Sequence, residues 1–331
     1  MSLKMPQDAW RSPEAEVWGY FGEESMPSLQ RYYGLMMGIY GWWFLIREDG
    51  SIQESVDIDA LNFARQHGLS VQGTIHNFVE TRFVREIAHS ILTDPAARRN
   101  AISNIIASIQ RYGLDGPHID LENVDPRDRQ PLTDFIRDLS VAARTHGLMI
   151  TQAVPGKTEE NPAHPWSGGF DYRALSRHVD WLVIMAYEEH SATGPPGPLA
   201  SYDWYVRVKE FTLSQVPLNK IFITTGVYGY DWPVGPVETA TTVTYTDLLR
   251  IMETYHVHLT FAPGIRECTL AYRSPDVPGG RWHVVWFQCP EAAEWKFRLI
   301  RQNGVRGTAI WELGQEDPRI WDLVASILLA P

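Results

Sequence analysis

Short apolar runs alternate with amphipathic stretches along the chain from about residue 17 onward. This alternation is typical of repeated strand–helix units, which build a parallel sheet. The apolar runs predict eight strands, at Val17–Phe21, Leu35–Trp43, Ser70–His76, Pro117–Glu122, Leu148–Val154, Trp181–Tyr187, Ile221–Val227 and Thr308–Glu312. Eight parallel strands favour an α/β fold of the (β/α)8 TIM barrel type, and a doubly wound open sheet is the alternative with the same pattern.

The stretches between the strands carry helical periodicity. Two of them place apolar residues at the i, i+3, i+4 and i+7 positions: Ile102, Ile105, Ile106 and Ile109, and then Leu132, Phe135, Ile136 and Leu139. Gly113 and Gly147 follow these helices, where a glycine with positive φ commonly ends a helix. Each glycine leads within a few residues into an apolar run, so the predicted connections are short, as in a barrel.

The segment between Thr246 and Gln288 departs from the alternation. It predicts a helix followed by three strands, at Thr246–Tyr255, Val257–Ala262, Thr269–Arg273 and Trp282–Gln288. Turn-forming residues separate the last two strands and predict a hairpin: Pro275, Pro278, Gly279 and Gly280. We therefore expect one barrel domain over residues 1–331, with a small α+β insertion at about 240–290, between barrel strands seven and eight.

Composition and charge narrow the function classes. Hydrophobic residues make up 44% and charged residues 21% of the chain, as in an ordinary globular domain. Lys and Arg number 29 against 40 Asp and Glu, a net charge of −11, which disfavours binding to nucleic acid. The longest uncharged apolar stretch, Gly34 to Ile46, is shorter than the roughly 20 residues that a membrane-spanning helix needs. The 13 Trp, 14 Tyr and 12 Phe residues suit a thick core or platforms for flat ligands such as sugar rings.

The two cysteines, Cys268 and Cys289, match no zinc-binding or redox motif. We interpret them as packing residues. A disulfide between two neighbouring strands is the alternative, and it would need an oxidising compartment. We expect the protein to use no metal ion and no cofactor.

The strongest chemical motif lies in the fourth predicted strand. Alternate residues of a strand share a face, so His118, Asp120 and Glu122 point to one side and would face the barrel interior. Two buried carboxylates cost free energy unless they are paired or used, and the C-terminal ends of barrel strands carry catalytic residues. A metal site is disfavoured, because three residues spread along one strand cannot all reach a single ion. The motif therefore favours acid–base catalysis.

The segment Asp115–Glu122 resembles the signature D-G-x-D-x-D-x-E of glycoside hydrolase family 18, which ends in the catalytic acid. Three further segments resemble later strand elements of that family, in the family's order: Trp181–His190, Thr225–Trp232 and Ile310–Gly314. Within the family, Asn123-Val124 and the run Pro195-Pro196-Gly197-Pro198 are similar to the spore-cortex and peptidoglycan N-acetylglucosaminidases. The resemblance implies a barrel enzyme that hydrolyses glycans.

The resemblance also implies a partner and a location. The substrate would be a polysaccharide with β-linked N-acetylglucosamine, either peptidoglycan or chitin, at the spore, in the cell wall or outside the cell. Members of this branch often carry LysM modules ahead of the barrel, and we expect none here because only about 16 residues precede the first predicted strand. The N-terminal Met1-Ser2-Leu3-Lys4 shows no apolar signal segment, which leaves export open. We expect a monomer.

The mechanism of the family is substrate-assisted retention, in which the 2-acetamido oxygen of the substrate attacks the anomeric carbon. The resemblance implies that Glu122 protonates the leaving oxygen and then activates water, while Asp120 orients the acetamido N–H and raises the pKa of Glu122. It also implies that the Tyr187 hydroxyl contacts the acetamido carbonyl and that Trp311 forms the floor. Asp120 and Glu122 approach the sugar from one side of one strand, which agrees with a nucleophile supplied by the substrate.

The remaining predicted site residues are substrate contacts at Met185, Glu188, His118, Tyr228 and Trp232, and structural motif residues at Asp115 and Gly116. Two positions depart from the family pattern. His118 replaces the first Asp of the D-x-D-x-E triplet, either as a satisfied core histidine or as a group that tunes Asp120, and Glu188 replaces the Asp that follows Tyr187. His118 motivates the alternative function, a catalytically silent sugar-binding protein, whereas the presence of Glu122 favours the enzyme.

Overall fold

The computed structural model of the protein describes residues 15–235, 239–275 and 278–330. Eight strands form a closed barrel, at Glu16–Phe21, Gly38–Ile46, Ser70–His76, Gly116–Asp120, Thr151–Pro155, Trp181–Met185, Ile221–Ile223 and Gly307–Trp311. Each strand pairs in parallel with the next one along the chain, and the last pairs with the first. The predicted (β/α)8 barrel is confirmed, and the open sheet is wrong because the parallel ladder closes on itself.

Helices connect the strands and cover the outside of the barrel. Those described span Met26–Tyr32, Ile58–Gln66, Arg85–Thr93, Pro95–Tyr112, Arg129–Thr145, Tyr172–Leu175, Tyr202–Gln215, Tyr245–Tyr255, Pro290–Asn303 and Ile320–Leu323. Gly113 ends one of the predicted helices with φ 58°, and Gly147, with φ 69°, follows the other. Within the described ranges, no helix has the length and the apolar character needed to cross a membrane.

Several strands end before their predicted bounds, and the difference matters for the site. The fourth barrel strand ends at Asp120, whose last ladder partner is His76 at the end of the third strand. Glu122 therefore lies just beyond the regular ladder. The sixth strand ends at Met185, so that Tyr187 also follows the strand. Glu122 and Tyr187 each lie two residues after a strand end, at the C-terminal end of the barrel.

The core has two layers. A large aliphatic layer separates the strands from the surrounding helices, and a smaller aromatic cluster fills the barrel interior: Trp18, Tyr20, Tyr40, Trp181, Val183, Phe222 and Ala309. Buried polar side chains share this interior with the aromatic rings: Gln72, Thr74, His118 and Thr151. Gln72, Thr151 and His118 are linked by hydrogen bonds within this interior.

The insertion between barrel strands seven and eight is confirmed. It contains a five-stranded antiparallel sheet in the order Thr241–Val243, Gly229–Pro233, Arg281–Phe287, Glu267–Ser274 and Thr260–Ala262. The helix Tyr245–Tyr255 contributes Leu248 to a buried cluster with Val285 and Phe287 on one face of this sheet. The predicted hairpin is present, with positive φ at Gly279 and Gly280, although residues 276–277 of its turn lie outside the described residues.

The two cysteines form a disulfide, so their interpretation as packing residues is wrong. Cys268 lies in the strand Glu267–Ser274, and Cys289 directly precedes the helix Pro290–Asn303. Both are buried with Ala292 in a small apolar cluster. The bond therefore ties the insertion sheet to the helix that leads into the last barrel strand.

Candidate active site

A cleft of about 950 Å³ opens at the C-terminal end of the barrel. Six residues at or just beyond the strand ends line it: Asp120, Glu122, Pro155, Met185, Tyr187 and Trp311. Its walls include the hairpin segment 78–83, parts of the loops 156–167 and 188–193, and Tyr230 of the insertion sheet. This end of a TIM barrel is where the loops after the strands converge and where active sites lie.

Asp120 lies at the base of this cleft and is 2% exposed. Its Oδ1 atom is buried and has no hydrogen-bond partner. Burial raises the pKa of Asp120 to about 7, because the charged carboxylate is poorly solvated there. A buried acceptor without a partner is costly, so this oxygen is ready to accept a hydrogen bond from a bound molecule.

Glu122 lines the same cleft two positions further along the chain. Its pKa is raised well above the usual value for a glutamate, first by burial and then by the negative charges of Asp120 and Glu188. Because two neighbouring buried carboxylates cannot both ionise easily, the pair retains one proton over a wide pH range. That proton is held more tightly by Glu122, which gives Glu122 the properties of a general acid and Asp120 those of a carboxylate.

Tyr187 and Glu188 follow the sixth barrel strand and line the same cleft as Asp120 and Glu122. Burial and the nearby carboxylates raise the pKa of Tyr187 well above its usual value, so its hydroxyl keeps its proton and can donate it in a hydrogen bond. Glu188 has φ 65° and accepts hydrogen bonds from the hydroxyls of Tyr228 and Tyr230. These two tyrosines fix the Glu188 side chain.

Trp311 is the last residue of the eighth barrel strand and presents its ring to the cleft. Its ring meets that of Tyr20 edge to face at 4.9 Å and that of Trp42 at 5.2 Å. Met185 lines the cleft as well and is 7% exposed. Trp311 and Met185 therefore supply apolar surface next to the carboxylates, which suits the apolar face of a sugar ring.

His118 lies below the cleft, in the barrel interior, and is fully buried. The Thr151 hydroxyl donates to Gln72, so it accepts from His118 Nδ1 at 2.8 Å, and the Tyr20 hydroxyl donates to His118 Nε2 at 2.8 Å. The imidazole ring also stacks on Tyr40 at 4.1 Å. Burial lowers the pKa of His118 to about 3, so the ring is neutral at ordinary pH. His118 is not among the residues that line the cleft, and its expected contact with substrate stays a prediction.

Tyr228 and Trp232 also lie behind the cleft wall rather than on it. Both are buried with Tyr230 in a cluster that packs against Tyr187 and Trp311. Trp232 donates from its indole nitrogen to the carbonyl oxygen of Gly194 at 3.1 Å. Both residues therefore support the wall from behind, and their expected direct contacts with substrate stay a prediction.

Asp115 and Gly116 lie at the other end of the fourth strand, away from the cleft. Asp115 accepts hydrogen bonds from the Ser70 hydroxyl at 2.8 Å and from the Val71 N–H at 2.7 Å, which anchors the start of the neighbouring strand. A Cβ atom at Gly116 would lie 1.9 Å from the carbonyl oxygen of Met149, so only glycine fits there. The structure places both residues in structural positions.

Two tryptophans of the cleft, Trp166 and Trp204, escaped the sequence reasoning. Their only sequence signal was the high aromatic content, because nothing in the chain distinguishes a wall tryptophan from a core tryptophan before the loops are placed.

A single group of side chains within the described ranges has the spacing of a metal site: Cys268, Cys289 and Glu291. Its two sulfur atoms are joined in the disulfide, so they cannot act as thiolate ligands. The carboxylates of the cleft belong to no such group among the residues that the structure describes.

Comparisons with known proteins find relatives of this chain. The chain is 32% identical to YdhD of Bacillus subtilis, provisionally named a sporulation-specific glycosylase, over 81% of this chain and 63% of that protein. It is 28% identical to the cortical fragment-lytic enzyme of Bacillus subtilis, over 76% of this chain and 58% of that enzyme. The chain thus spans about three fifths of the length of these two relatives.

A solved chitinase from Chromobacterium violaceum has a similar structure, with a TM-score of 0.87 and 27% sequence identity, over 96% of this chain and 100% of that one. The model of the glycosyl hydrolases family 18 matches residues 86–316, which include the fourth, sixth and eighth barrel strands and the carboxylate pair. The match covers more than half of the chain, and the chain therefore belongs to glycosyl hydrolase family 18.

Proposed function

We propose that this protein is a retaining glycoside hydrolase that cleaves β-linked N-acetylglucosamine polymers with the help of the substrate's own 2-acetamido group. Peptidoglycan of the spore cortex is the first candidate substrate and chitin the second. The observation that carries the proposal is the carboxyl pair at the base of the cleft. Glu122 holds a proton, and Asp120 offers a buried oxygen without a partner.

In the first step, Glu122 donates its proton to the glycosidic oxygen while the acetamido carbonyl oxygen attacks the anomeric carbon. The bond from the anomeric carbon to the leaving oxygen breaks, and an oxazolinium ion forms. Asp120 accepts the acetamido N–H on its free Oδ1 and stabilises the positive charge that develops. Tyr187, which stays protonated, donates to the acetamido oxygen and holds it near the anomeric carbon.

In the second step, Glu122 is a carboxylate and accepts a proton from water as the water attacks the anomeric carbon. The oxazolinium ring opens, the acetamido group is restored, and the sugar keeps its original anomeric configuration. Glu122 thus serves once as acid and once as base and ends the cycle protonated. Trp311 holds the sugar ring by stacking throughout.

The other carboxylates of the cleft support this scheme because they are engaged elsewhere. Glu188 accepts from two tyrosine hydroxyls, and Glu189 accepts from the N–H and the hydroxyl of Ser201. Glu159 also lines the cleft but is exposed on its loop. A direct carboxylate nucleophile would need an unengaged side chain aimed at the anomeric carbon from the far face.

The relatives support the order of the candidate substrates. Both Bacillus subtilis relatives carry names that refer to sporulation or to the spore cortex, whereas the structural neighbour is a chitinase. We therefore place peptidoglycan ahead of chitin and propose a location at the spore or in the cell wall. The neutral, hydrogen-bonded His118 supports an active enzyme, because it leaves Asp120 free for the substrate.

The test is hydrolysis of cortex peptidoglycan fragments and of chitooligosaccharides, with the anomer of the first product read by proton NMR. We expect cleavage with retention and no cleavage of the matching glucose oligomers, which lack the acetamido group. An inverted product or equal rates on the glucose oligomers would contradict the mechanism. Binding of these glycans without cleavage of any would instead identify a silent sugar-binding protein.

A further inference from the structure

Asn77 is the first residue after the third barrel strand, and it is fully buried. Its side-chain Oδ1 accepts the backbone N–H of Glu122 at 3.0 Å. Its Nδ2 donates to the backbone carbonyl of Glu122 at 3.0 Å and to that of Val84 at 2.9 Å. One amide side chain thus bonds both backbone groups of the residue that carries the catalytic proton.

These bonds continue the hydrogen bonding between the third and fourth strands beyond the last pair of their ladder. The regular ladder between the third and fourth strands ends with the pair of His76 and Asp120, so Glu122 has no strand partner in that ladder. A carboxamide has the same donor and acceptor as a peptide group, and the Asn77 side chain therefore takes the place of the missing strand.

The chain changes direction directly after Glu122, which makes this support important. Asn123 has φ 54°, in the left-handed region, and its side chain is held by Arg85 at 2.8 Å. Without Asn77, the N–H and C=O of Glu122 would lose these partners at the point where the backbone leaves the barrel. The orientation of the Glu122 carboxyl depends on this short piece of backbone.

We propose that Asn77 is a positioning residue for the reaction, which fixes the backbone of Glu122 so that its carboxyl group reaches the glycosidic oxygen. This inference rests on the proposed role of Glu122 as the acid. It assigns to Asn77 no contact with the substrate. Its function is to hold the acid in register with Asp120.

The first variant is Asn77→Ala, measured on whichever cortex fragment or chitooligosaccharide the wild type cleaves. We expect kcat to fall by about 10- to 100-fold while KM stays within about threefold, because a misplaced acid harms the transition state more than binding. Asn104→Ala is the matched control, since Asn104 also donates its amide to a backbone carbonyl, that of Gly50, but far from the cleft. Equal kcat in Asn77→Ala and wild type, both folded by circular dichroism, would overturn the proposal.

The second variant, Asn77→Asp, separates positioning from general stability. A protonated carboxyl group keeps one donor and one acceptor, whereas a carboxylate has acceptors only and repels the Glu122 carbonyl. The kcat of Asn77→Asp relative to wild type should therefore fall as pH rises, while the loss in Asn77→Ala should be the same at every pH. The neighbouring groups His76, Arg85, Asp120 and Glu122 are unchanged in both variants.

Amide hydrogen exchange measured by NMR gives a readout that needs no activity. In Asn77→Ala we expect the Glu122 amide to exchange at least tenfold faster than in wild type, with the Ile119 amide inside the ladder unaffected. Unchanged exchange at Glu122 would refute the fixing of its backbone by Asn77, even if the protein cleaved no glycan. Faster exchange together with an inactive wild type would support the fixing of that backbone and reject the proposed hydrolase function.

Discussion

Replacing Glu122 by glutamine tests the assignment of the acid directly. The carboxamide has nearly the same shape as the protonated carboxyl group but has no proton to transfer. Burial and the charges of Asp120 and Glu188 raise the pKa of wild-type Glu122 and favour its protonated form, so the substitution removes the acidic proton with little change of charge. We therefore expect a folded protein that binds glycan and cleaves it very slowly.

The expected loss follows from the role of the proton. General acid catalysis contributes about 10²- to 10⁴-fold, which corresponds to about 2.7–5.4 kcal/mol of transition-state stabilisation. A sugar alkoxide is a poor leaving group and needs the full proton transfer, so the loss on polysaccharide should lie near the upper end. The leaving group of an aryl glycoside of N-acetylglucosamine is a phenolate, which needs less protonation, so the cleavage of this substrate should depend less on Glu122.

The assay compares kcat of wild type and Glu122→Gln on both substrates and measures glycan affinity by calorimetry. Asp120→Asn is the matched control, since it removes the negative charge that stabilises the oxazolinium ion and should slow the cleavage of both substrates similarly. Glu122→Gln with more than half of the wild-type rate on polysaccharide would refute the acid assignment. Equal losses on the two substrates would show that the proton is not transferred to the leaving group.

Further outcomes follow from the buried charges. Because burial raises the pKa of Asp120 to about 7, kcat/KM should rise as the pH increases through about 7, as a pH–rate profile would show. It should fall again where Glu122, whose pKa is also raised, loses its proton. Because the pKa of Asp120 is higher in the folded state, that state binds more protons than the unfolded state between about pH 4 and 7, so the unfolding free energy of wild type should fall as the pH rises through that window. Urea titrations of Asp120→Asn should show a smaller fall, since the raised pKa of Glu122 still contributes, and an equal fall would contradict the reasoning. His118→Asn should leave the acid limb of the pH–rate profile unchanged, because His118 is neutral above about pH 3, and a shifted limb would show that His118 tunes Asp120. The same variant should lower the unfolding free energy by about 1–3 kcal/mol, because it disturbs buried hydrogen bonds. Glu267→Gln leaves the buried Lys296 without its ion-pair partner at 3.0 Å and should lower the unfolding free energy by about 3–5 kcal/mol. Adding Lys296→Met should recover part of that stability, and an unchanged Tm in Glu267→Gln would contradict this reasoning.

The barrel itself was predictable because its signals are local. The run Trp181–Met185 is continuously apolar, as a strand buried on both faces must be. Gly113 marked a helix end because glycine readily adopts positive φ, and its φ in the structure is 58°. The spacing of Asp120 and Glu122 was equally visible in the sequence. Such patterns depend on backbone geometry that repeats over a few residues.

The parts that could not be predicted depend on contacts between distant segments. Asn77 and Glu122 are 45 positions apart, and nothing in the intervening chain marks them as partners. The neutral state of His118 follows from its burial between Tyr20 and Thr151. A disulfide between Cys268 and Cys289 was the alternative from the sequence, and the structure forms it. The sequence could not decide between the disulfide and plain packing, because the bond requires the insertion sheet to meet the segment before a barrel helix.

The cleft is assembled from two separable parts of the chain. The proton donor and its neighbouring carboxylate come from the end of the fourth barrel strand and the residues just after it, whereas Glu188 is held by Tyr228 and Tyr230 at the start of the insertion. Substitutions confined to the insertion can therefore change which glycan the cleft accepts while the catalytic carboxyl pair stays the same. A chimera that carries this insertion on a relative's barrel should therefore keep the recipient's reaction and acquire the donor's choice of sugar chain.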